Sequence, residues 1–435
     1  MSIRKLVVAS GIYFVEVPEA GLYVLCGAPA DSVKHLFRRG IIQTEEAGGV
    51  TYETGPNAIL LADSMIQNGS LSNLGEFPIL QMLYRQGMLV PNHPNNTGRR
   101  PKLIGAPEQL AAQLRYIHRG NYGLISADEM IRAGATAEDA SEQMRMKLKF
   151  AFGQITKPDA FVDCIPVTGG PADLGNGVSI SRLAHNVFEI SHGGDSVQVD
   201  LNLGRNEHYP CPYPLTHVSI DRHYFAVVHT GDGDGWDFNR PAMGSVIVHQ
   251  GRVYLIDAGP NIQYSLDALG IGRREIAGIF HTHCHDDHFV GLTSLLQCDQ
   301  PLQYYATPLV RASATRKFCA LLSIPEHEFG HYFDVHDLEE GKWNDIMGLE
   351  IQPMMSPHPV ETTLFNFRVL WEGGYRTYSH LADIASFDVL DSMVTADPAA
   401  AASAVLDSKA FDNSVLCTNE SVLIAVESIA DALEK

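Results

Sequence analysis

The sequence predicts an α/β sandwich preceded by a separate α/β unit, and two observations carry that prediction. From about residue 178 the chain runs as strands parted by Gly, Asp and Asn turns, and later strands alternate with helices. That order buries a sheet against neighbouring layers. The charge is also divided: residues 1–150 hold 15 Lys/Arg against 14 Asp/Glu, and the remaining 285 hold 16 against 37. At 435 residues the chain exceeds one ordinary domain, since single cores stop growing near roughly 250–300 residues. The boundaries read as an N-terminal α/β domain of unknown role at 1–155, a linker at 156–177 and a second domain at 178–435.

In the first domain, "GLYVLCG" and "NAILLAD" read as strands, while "EFPILQMLYRQGML" and "APEQLAAQLRYIHRG" carry apolar residues at helical spacing. "PNHPNNTGRRPK" is a loop by its Pro, Asn and Gly content. Its Arg99, Arg100 and Lys102 are either solvated surface or a meeting point for a phosphate. "ATAEDASEQMRMKLKFAFG" is an amphipathic helix that starts near Thr136, and the Gly/Pro-rich stretch after it is the linker.

In the second domain "HYFAVVHTG" is a strand, followed by the polar loop "DGDGWDFNRP". Trp236 and Phe238 in that loop are candidate pocket walls or plain loop packing. "SVIVHQGRVYLIDAG" is a hairpin turning at Gln250-Gly251, and "REIAGIF" is a buried strand. "LTSLLQCD" is then a helix, "LQYYATP" a strand, "PLVRASATRKFCALLS" a helix and "YFDVHDL" a strand.

Composition narrows the function classes. The net charge of −20 argues against nucleic-acid and anionic-membrane binding, both of which need basic surface. Seven cysteines without a CxxC pair fit a reducing compartment, read here as cytoplasmic. The opening "MSIRKLVVASGIYFVEVPEAG" meets Glu16 and Glu19 with no cleavage site, so it reads as a strand. No run of 18 uncharged apolar residues occurs, so no membrane span is expected. The expected partner is a small-molecule substrate, and homo-oligomerisation is left open.

Straight after "REIAGIF", the stretch "GIFHTHCHDDHFVG" places His281, His283, His285 and His288 within eight positions, four of the 19 histidines in the chain. His283 and His285 are two apart, so an extended segment points both the same way and they can grip one metal ion. Asp287 and His288, at the bend beyond, face the same cavity and can hold a second. Imidazole nitrogen and carboxylate oxygen hold Zn²⁺, or Fe and Mn, while leaving a position open. His281, at the strand end, reads either as structural or as a support behind the ligands. A second zinc pattern, His327-Glu328-Phe329-Gly330-His331, needs a long helix. Pro325, Gly330 and the strand that follows speak against one, so it reads as a polar connection.

"HTHCHDDHFVG" resembles the T-H-x-H-x-D-H-x-x-G signature of the metallo-β-lactamase superfamily. "GSVIVHQGRVYLIDAGPN" is similar to the strands that precede it there and end in an Asp-[Ser/Thr/Ala]-Gly turn. The resemblance covers roughly 178–435. It implies a metallo-β-lactamase-like αββα four-layer sandwich with an additional N-terminal α/β domain, holding two divalent ions, Zn first, with Fe or Mn as alternatives. It also implies further ligands: His358 in "LEIQPMMSPHPVETTLF", and Asp383 at the end of the hairpin "FNFRVLWEGGYRTYSHLADI", which is expected to turn at Gly373-Gly374. His283, His285 and His358 would form one site and Asp287 with His288 the other, with Asp383 between the ions. The family's last histidine has no counterpart beyond His380, and Cys417 or His380 stands nearest its place. The run "NAILLADSMIQNGSLSNLGEF" echoes the same strand-to-loop step with its ligands replaced, but 150 residues is short for a second copy of the fold.

The implied activity is that of a metal-dependent hydrolase. A metal-bound hydroxide at a mono- or dinuclear site would cleave an ester, lactone, thioester or phosphodiester, with Asp287 as orienting ligand and proton acceptor. Two alternatives stand beside it. One is a di-iron protein binding or reducing O₂ or NO, where His285 departs from the usual carboxylate. The other is a regulatory module with a partly vestigial site, which the missing histidine suggests.

Overall fold

Short apolar strands joined by tight turns build two large sheets in each of two units, and the first unit adds two two-stranded hairpins. The structure, a computed structural model, describes residues 2–151, 153–296, 300–384 and 422–423. The first unit gathers Met1–Asn121, Thr156–Pro214 and Ala320–Ser323; the second gathers Tyr122–Ile155, Leu215–Cys319 and Ile324–Lys435.

In the first unit β1 (Arg4–Ala9), β2 (Ile12–Val17), β3 (Leu22–Cys26), β4 (Ala58–Leu60), β5 (Lys102–Gly105) and β6 (Asp163–Pro166) form one sheet in that order. The pairs up to β3 are antiparallel and those from β3 onward are parallel. A second, antiparallel sheet follows as a meander of β7 (Ala172–Gly175), β8 (Val178–Ala184), β9 (Val187–His192) and β10 (Asp195–Asp200). Val15, Val24, Leu60 and Ile104 from one sheet share a core with Ile180, Phe188, Ile190 and Val199 from the other.

The observed division differs from the one read in the sequence. The expected linker supplies β6 and β7: Asp163 pairs in parallel with Lys102, and Gly169, Gly170 and Pro171 lie between the two strands. Residues 178–200 build the meander of the first unit. Residues 122–155, expected with the first domain, belong to the second unit. There the helix Ala137–Phe150 starts at Thr136, as expected, with Thr136 Oγ1 accepting the Asp139 N–H at 3.1 Å. With the helix Ala127–Ala133 it packs a small core, Leu124, Met130 and Ala140, against Leu309 and Ala312. Charge composition reports surface, and the partition follows which buried faces meet.

In the second unit β11 (Phe225–Gly231), β12 (Gly244–His249), β13 (Arg252–Ile256), β14 (Ile276–Phe280), β15 (Leu302–Ala306) and β16 (Phe333–Asp337) form a six-stranded sheet in that order. β17 (Asn344–Ile346), β18 (Leu349–Ser356), β19 (Thr362–Trp371) and β20 (Gly374–His380) form the antiparallel meander, with β21 (Val422–Leu423) on its edge. Phe280 sits between the sheets, with ring centroids of Tyr254, Tyr305, Phe365 and Phe367 5.0–6.0 Å away. The β12–β13 hairpin turns at Gln250 and Gly251, with φ of 50° and 76°. Two left-handed residues are what a type I′ turn requires. The β19–β20 hairpin turns at Glu372 and Gly373, one residue earlier than expected, because Trp371 pairs with Gly374. Among the described residues no helix is long and apolar enough to cross a membrane.

The two units repeat one topology. Each has three antiparallel strands, three further strands added in parallel, then a four-stranded meander. Loop hydrogen bonds repeat as well: Gly27 N–H to Leu60 C=O matches Asp257 to Phe280, and Leu61 to Ile104 matches His281 to Tyr305. The first unit is thus a second copy of the fold. Chain length argued against a copy only while the unit was taken to end near 150. In register, Asp63 stands where the second unit has His283. Its carboxylate accepts from Arg182 Nε at 2.8 Å and from the Asn186 N–H at 2.7 Å, so an ion pair fills that position.

Candidate metal centre

β14 carries only apolar residues or glycine, so it lies as a buried strand between parallel neighbours. Where it ends, the His281 N–H still reaches the Tyr305 carbonyl at 3.0 Å. The chain then runs extended through His285 (φ −65°, ψ 151°) into the short helix Asp286–Phe289. Gly291 closes the loop by donating to the Ala258 carbonyl at 2.8 Å. A Cβ on Gly291 would lie 2.2 Å from the Gly259 carbonyl oxygen, and one on Gly259 would lie 2.2 Å from that of Asp287. Only glycine lets the turn after β13 and the loop after β14 approach this closely.

The structure brings together all six side chains expected to hold metal. His283 Nε2 lies 3.2 Å from His285 Nδ1, which lies 3.0 Å from His358 Nε2. Asp383 Oδ2 is 3.7 Å from both His283 Nε2 and His358 Nε2, and its Oδ1 is 3.5 Å from His288 Nε2. Asp287 Oδ2 is 3.8 Å from the same His288 nitrogen. Ligand atoms converge in two groups, His283, His285, His358 and Asp383, and His283, Asp287 and His288. Among the described residues such groups occur only in the second unit.

Asp257, at the end of β13, sets the state of two of these rings, and sequence reading assigned it no role. Its carboxylate accepts from Thr282 N–H (2.7 Å), Thr282 Oγ1 (2.6 Å) and His288 Nδ1 (2.7 Å). Because Thr282 gives its one hydroxyl proton to Asp257, it accepts from His283 Nδ1 at 3.0 Å. Both rings therefore carry a proton on Nδ1, which leaves Nε2 as the atom each offers toward the centre. The signal was the Asp-Ala-Gly turn at 257–259, quoted only for its resemblance.

This donor set fits a metal ion. His285 Nδ1 lies 3.2 Å from His283 Nε2 and 3.0 Å from His358 Nε2, close to the spacing of about 3.3 Å that tetrahedral ligands adopt around zinc at roughly 2.0–2.1 Å. Asp383 Oδ2 is buried without a hydrogen-bond partner. In a protein interior such an oxygen calls for a cation or an ordered donor.

Electrostatics agree. Burial, then the neighbouring imidazoles, hold His283 and His285 well below the usual histidine range, and burial lowers His358 to about 4. All three are neutral lone-pair donors near pH 7. His288 moves the other way: burial opposes its charge, but Asp287, Asp383 and Asp257 overcome that and raise it well above its ordinary value. The same field that draws a proton there draws a metal cation. Burial pushes Asp383 up, but His288, His283 and His358 prevail and leave it well below the carboxylate range.

An acid response follows. Burial lowers His281, His358 and His380 to about 4 from an ordinary 6.5. Between those values the unfolded chain takes up protons that the folded chain refuses, so their contribution is complete above pH 6.5 and lost toward pH 4. His288, whose pKa is raised, contributes below its ordinary 6.5 and loses that contribution as pH rises through its folded value. The lowered imidazoles outnumber it. The urea midpoint of metal-free protein is expected to fall steadily from pH 7 to pH 4.5; a flat or rising midpoint would contradict the neutral, buried state of these rings.

The remaining expectations resolve plainly. His281 is fully buried and bonds Tyr304 through Nδ1 at 2.6 Å, a structural role. His380 is buried with Nδ1 3.1 Å from Tyr378 Oη and is not among the converging groups. Cys417 lies outside the described residues. His327 and His331 sit exposed on two short helical turns, with His331 bonded to Glu328, so no metalloprotease helix forms. Trp236 and Phe238 are half-buried, in a loop that Asp234 folds on itself by accepting the Trp236 and Asp237 N–H groups. Arg100 pairs with Asp163 at 2.5 Å, inside the first unit.

Residues 226–381 match the family model described as anti-Pycsar protein Apyc1. The chain is 26% identical over 155 residues to cGMP-dependent 3',5'-cGMP phosphodiesterase A of Dictyostelium discoideum, covering 36% of this chain and 18% of that protein. It is 27% identical over 124 residues to ribonuclease Z of Methanococcus aeolicus, covering 27% and 37%. The match thus spans well under half the length of either relative. Among solved structures, a diphosphatase of the PhnP family overlaps with a TM-score of 0.29 at 18% identity, covering 37% of this chain and 65% of that one. The short form of human tRNase Z gives 0.29 at 21% identity, covering 37% and 71%.

Proposed function

With the second unit carrying the metallo-β-lactamase fold, we propose that this protein is a metal-dependent phosphodiesterase. The observation that carries the reading is the pair of ligand groups sharing His283, with Asp383 reaching both through its two oxygens. Such an arrangement suits two ions a few ångströms apart, a spacing that favours displacement at phosphorus. The sequence relatives named as phosphodiesterase and ribonuclease Z support that bond class over lactone, thioester or carboxylic ester.

His283, His285, His358 and Asp383 would hold one ion, and Asp287 and His288, with Asp383, the other. When bound, such ions supply Lewis acidity toward phosphoryl oxygens and acidify water. The chain's own residues do the rest. Asp257 and Thr282 keep the Nε2 lone pairs aimed inward. Burial of His283, Asp287, His288 and Asp383 keeps bulk water from competing. Asp287, a carboxylate at the floor of the site, orients the attacking water and takes its proton. Lacking the family's last histidine, the second group is the weaker binder. Zinc, or Fe or Mn in its place, suits the donor types.

The test is cleavage of bis(p-nitrophenyl) phosphate by protein stripped with chelator and then titrated with zinc. Activity should vanish on stripping and return in two phases, with most turnover regained only as the weaker position fills. Metal uptake without turnover on any phosphodiester, linear or cyclic, would overturn the reading.

A further inference from the structure

Beneath the metal loop lies a cation that no sequence motif announced. Lys317, on the helix Pro308–Leu322, has no exposed surface. Its ammonium donates to the Cys284 carbonyl at 2.5 Å and lies 2.8 Å from Asp286 Oδ1. It also stands 4.7 Å from the centroid of the Phe289 ring. Cys284 separates His283 from His285, and Asp286 immediately precedes Asp287. One buried ammonium therefore ties the backbone between two imidazoles to the residue beside the carboxylate.

Two effects of opposite sign meet here. A bare cation under the loop would repel metal ions, an effect that weakens with distance and dielectric. Asp286, itself buried, neutralises it locally, so at the metal positions the pair acts as a dipole rather than a charge. What remains is placement: the loop's only regular structure is a one-turn helix, and the Lys317 ties help to hold three ligands in register. Groups that orient ligands in this way typically change metal affinity by roughly 10–100-fold when removed.

We propose that Lys317 is a positioning residue that fixes the spacing of His283, His285 and Asp287, and thereby sets the metal affinity of the centre. The proposal rests on the metal-centre reading above. The experiment compares zinc affinity, by competition with a chromophoric chelator, in wild-type protein, the Lys317→Met/Asp286→Asn double variant and the Asp286→Ala variant. The double variant removes both charges together and so leaves no unpaired ion in the interior. It is expected to bind zinc ten- to a hundred-fold more weakly. Its cobalt(II) form should show a visible absorption band altered in position and intensity as the ligand geometry relaxes. Asp286→Ala keeps the Cys284 bond and loses the second tie, and a several-fold weakening is expected. A double variant with wild-type affinity and cobalt spectrum overturns the proposal, whatever its melting temperature. If the double variant fails to fold, unchanged affinity in Asp286→Ala overturns it instead. Wild-type protein that takes up no zinc is a different result and removes the metal-centre reading itself.

Discussion

Asp287→Ala is expected to lower kcat/KM on a phosphodiester by about a thousandfold or more while leaving the protein folded and still holding metal. The reason lies in how the ligands divide. His283, His285, His358 and Asp383 form a complete group without Asp287, so one ion should remain at close to wild-type affinity. The other group loses one of its three members, and the reaction loses the carboxylate that orients water. A thousandfold loss is ~4 kcal/mol of transition-state stabilisation, in the range that such a change can remove. The measurement pairs steady-state kinetics with zinc content per chain. About one zinc per chain with no turnover is the expected combination. Turnover within tenfold of wild type would mean that Asp287 holds neither role given to it.

Asp257→Asn should do comparable damage without touching a ligand. The substituted amide can keep its oxygen toward the Thr282 N–H, which then places its NH₂ where Asp257 Oδ2 now accepts from Thr282 Oγ1 and His288 Nδ1. The amide donates to both. His288 must then accept on Nδ1 and carry its proton on Nε2, pointing at the centre. Thr282, now an acceptor from the amide, turns its hydroxyl proton toward His283 Nδ1 and forces the same switch there. One isosteric change thus turns two lone pairs into N–H groups. Zinc affinity is expected to fall by at least 10–100-fold, with activity lost at ordinary zinc concentrations and circular dichroism unchanged. Asp257→Ala is expected to be worse for stability, because it strands the buried Nδ1–H of His288 and both Thr282 donors. Wild-type zinc affinity in the asparagine variant would show that the rings are not oriented through Asp257.

Much of the site was legible in the sequence because its chemistry is written in consecutive residues. The period-two spacing of His283 and His285 follows from local geometry. His358 and Asp383 were reachable only through a resemblance, since nothing near either one states that a β-hairpin will carry it to the loop after β14. Asp257 and Lys317 were missed for a related reason. Each acts across the sheet or between layers, on residues 25 to 33 positions away in the chain, and an aspartate in a turn or a lysine on a helix looks like ordinary surface until burial is known. The domain boundaries failed for a physical reason too. The Gly and Pro residues of 156–177 do punctuate the chain, but they punctuate a sheet, and a lone sequence does not say which strands β6 and β7 will pair with.

A chain that spells one architecture twice holds a spare. Among the described residues the converging ligand groups lie in one half alone, and the other needs only its apolar interior to fold. The Arg182–Asp63 pair shows the difference at a single address: a plain salt bridge where the other half sets His283, within the same scaffold.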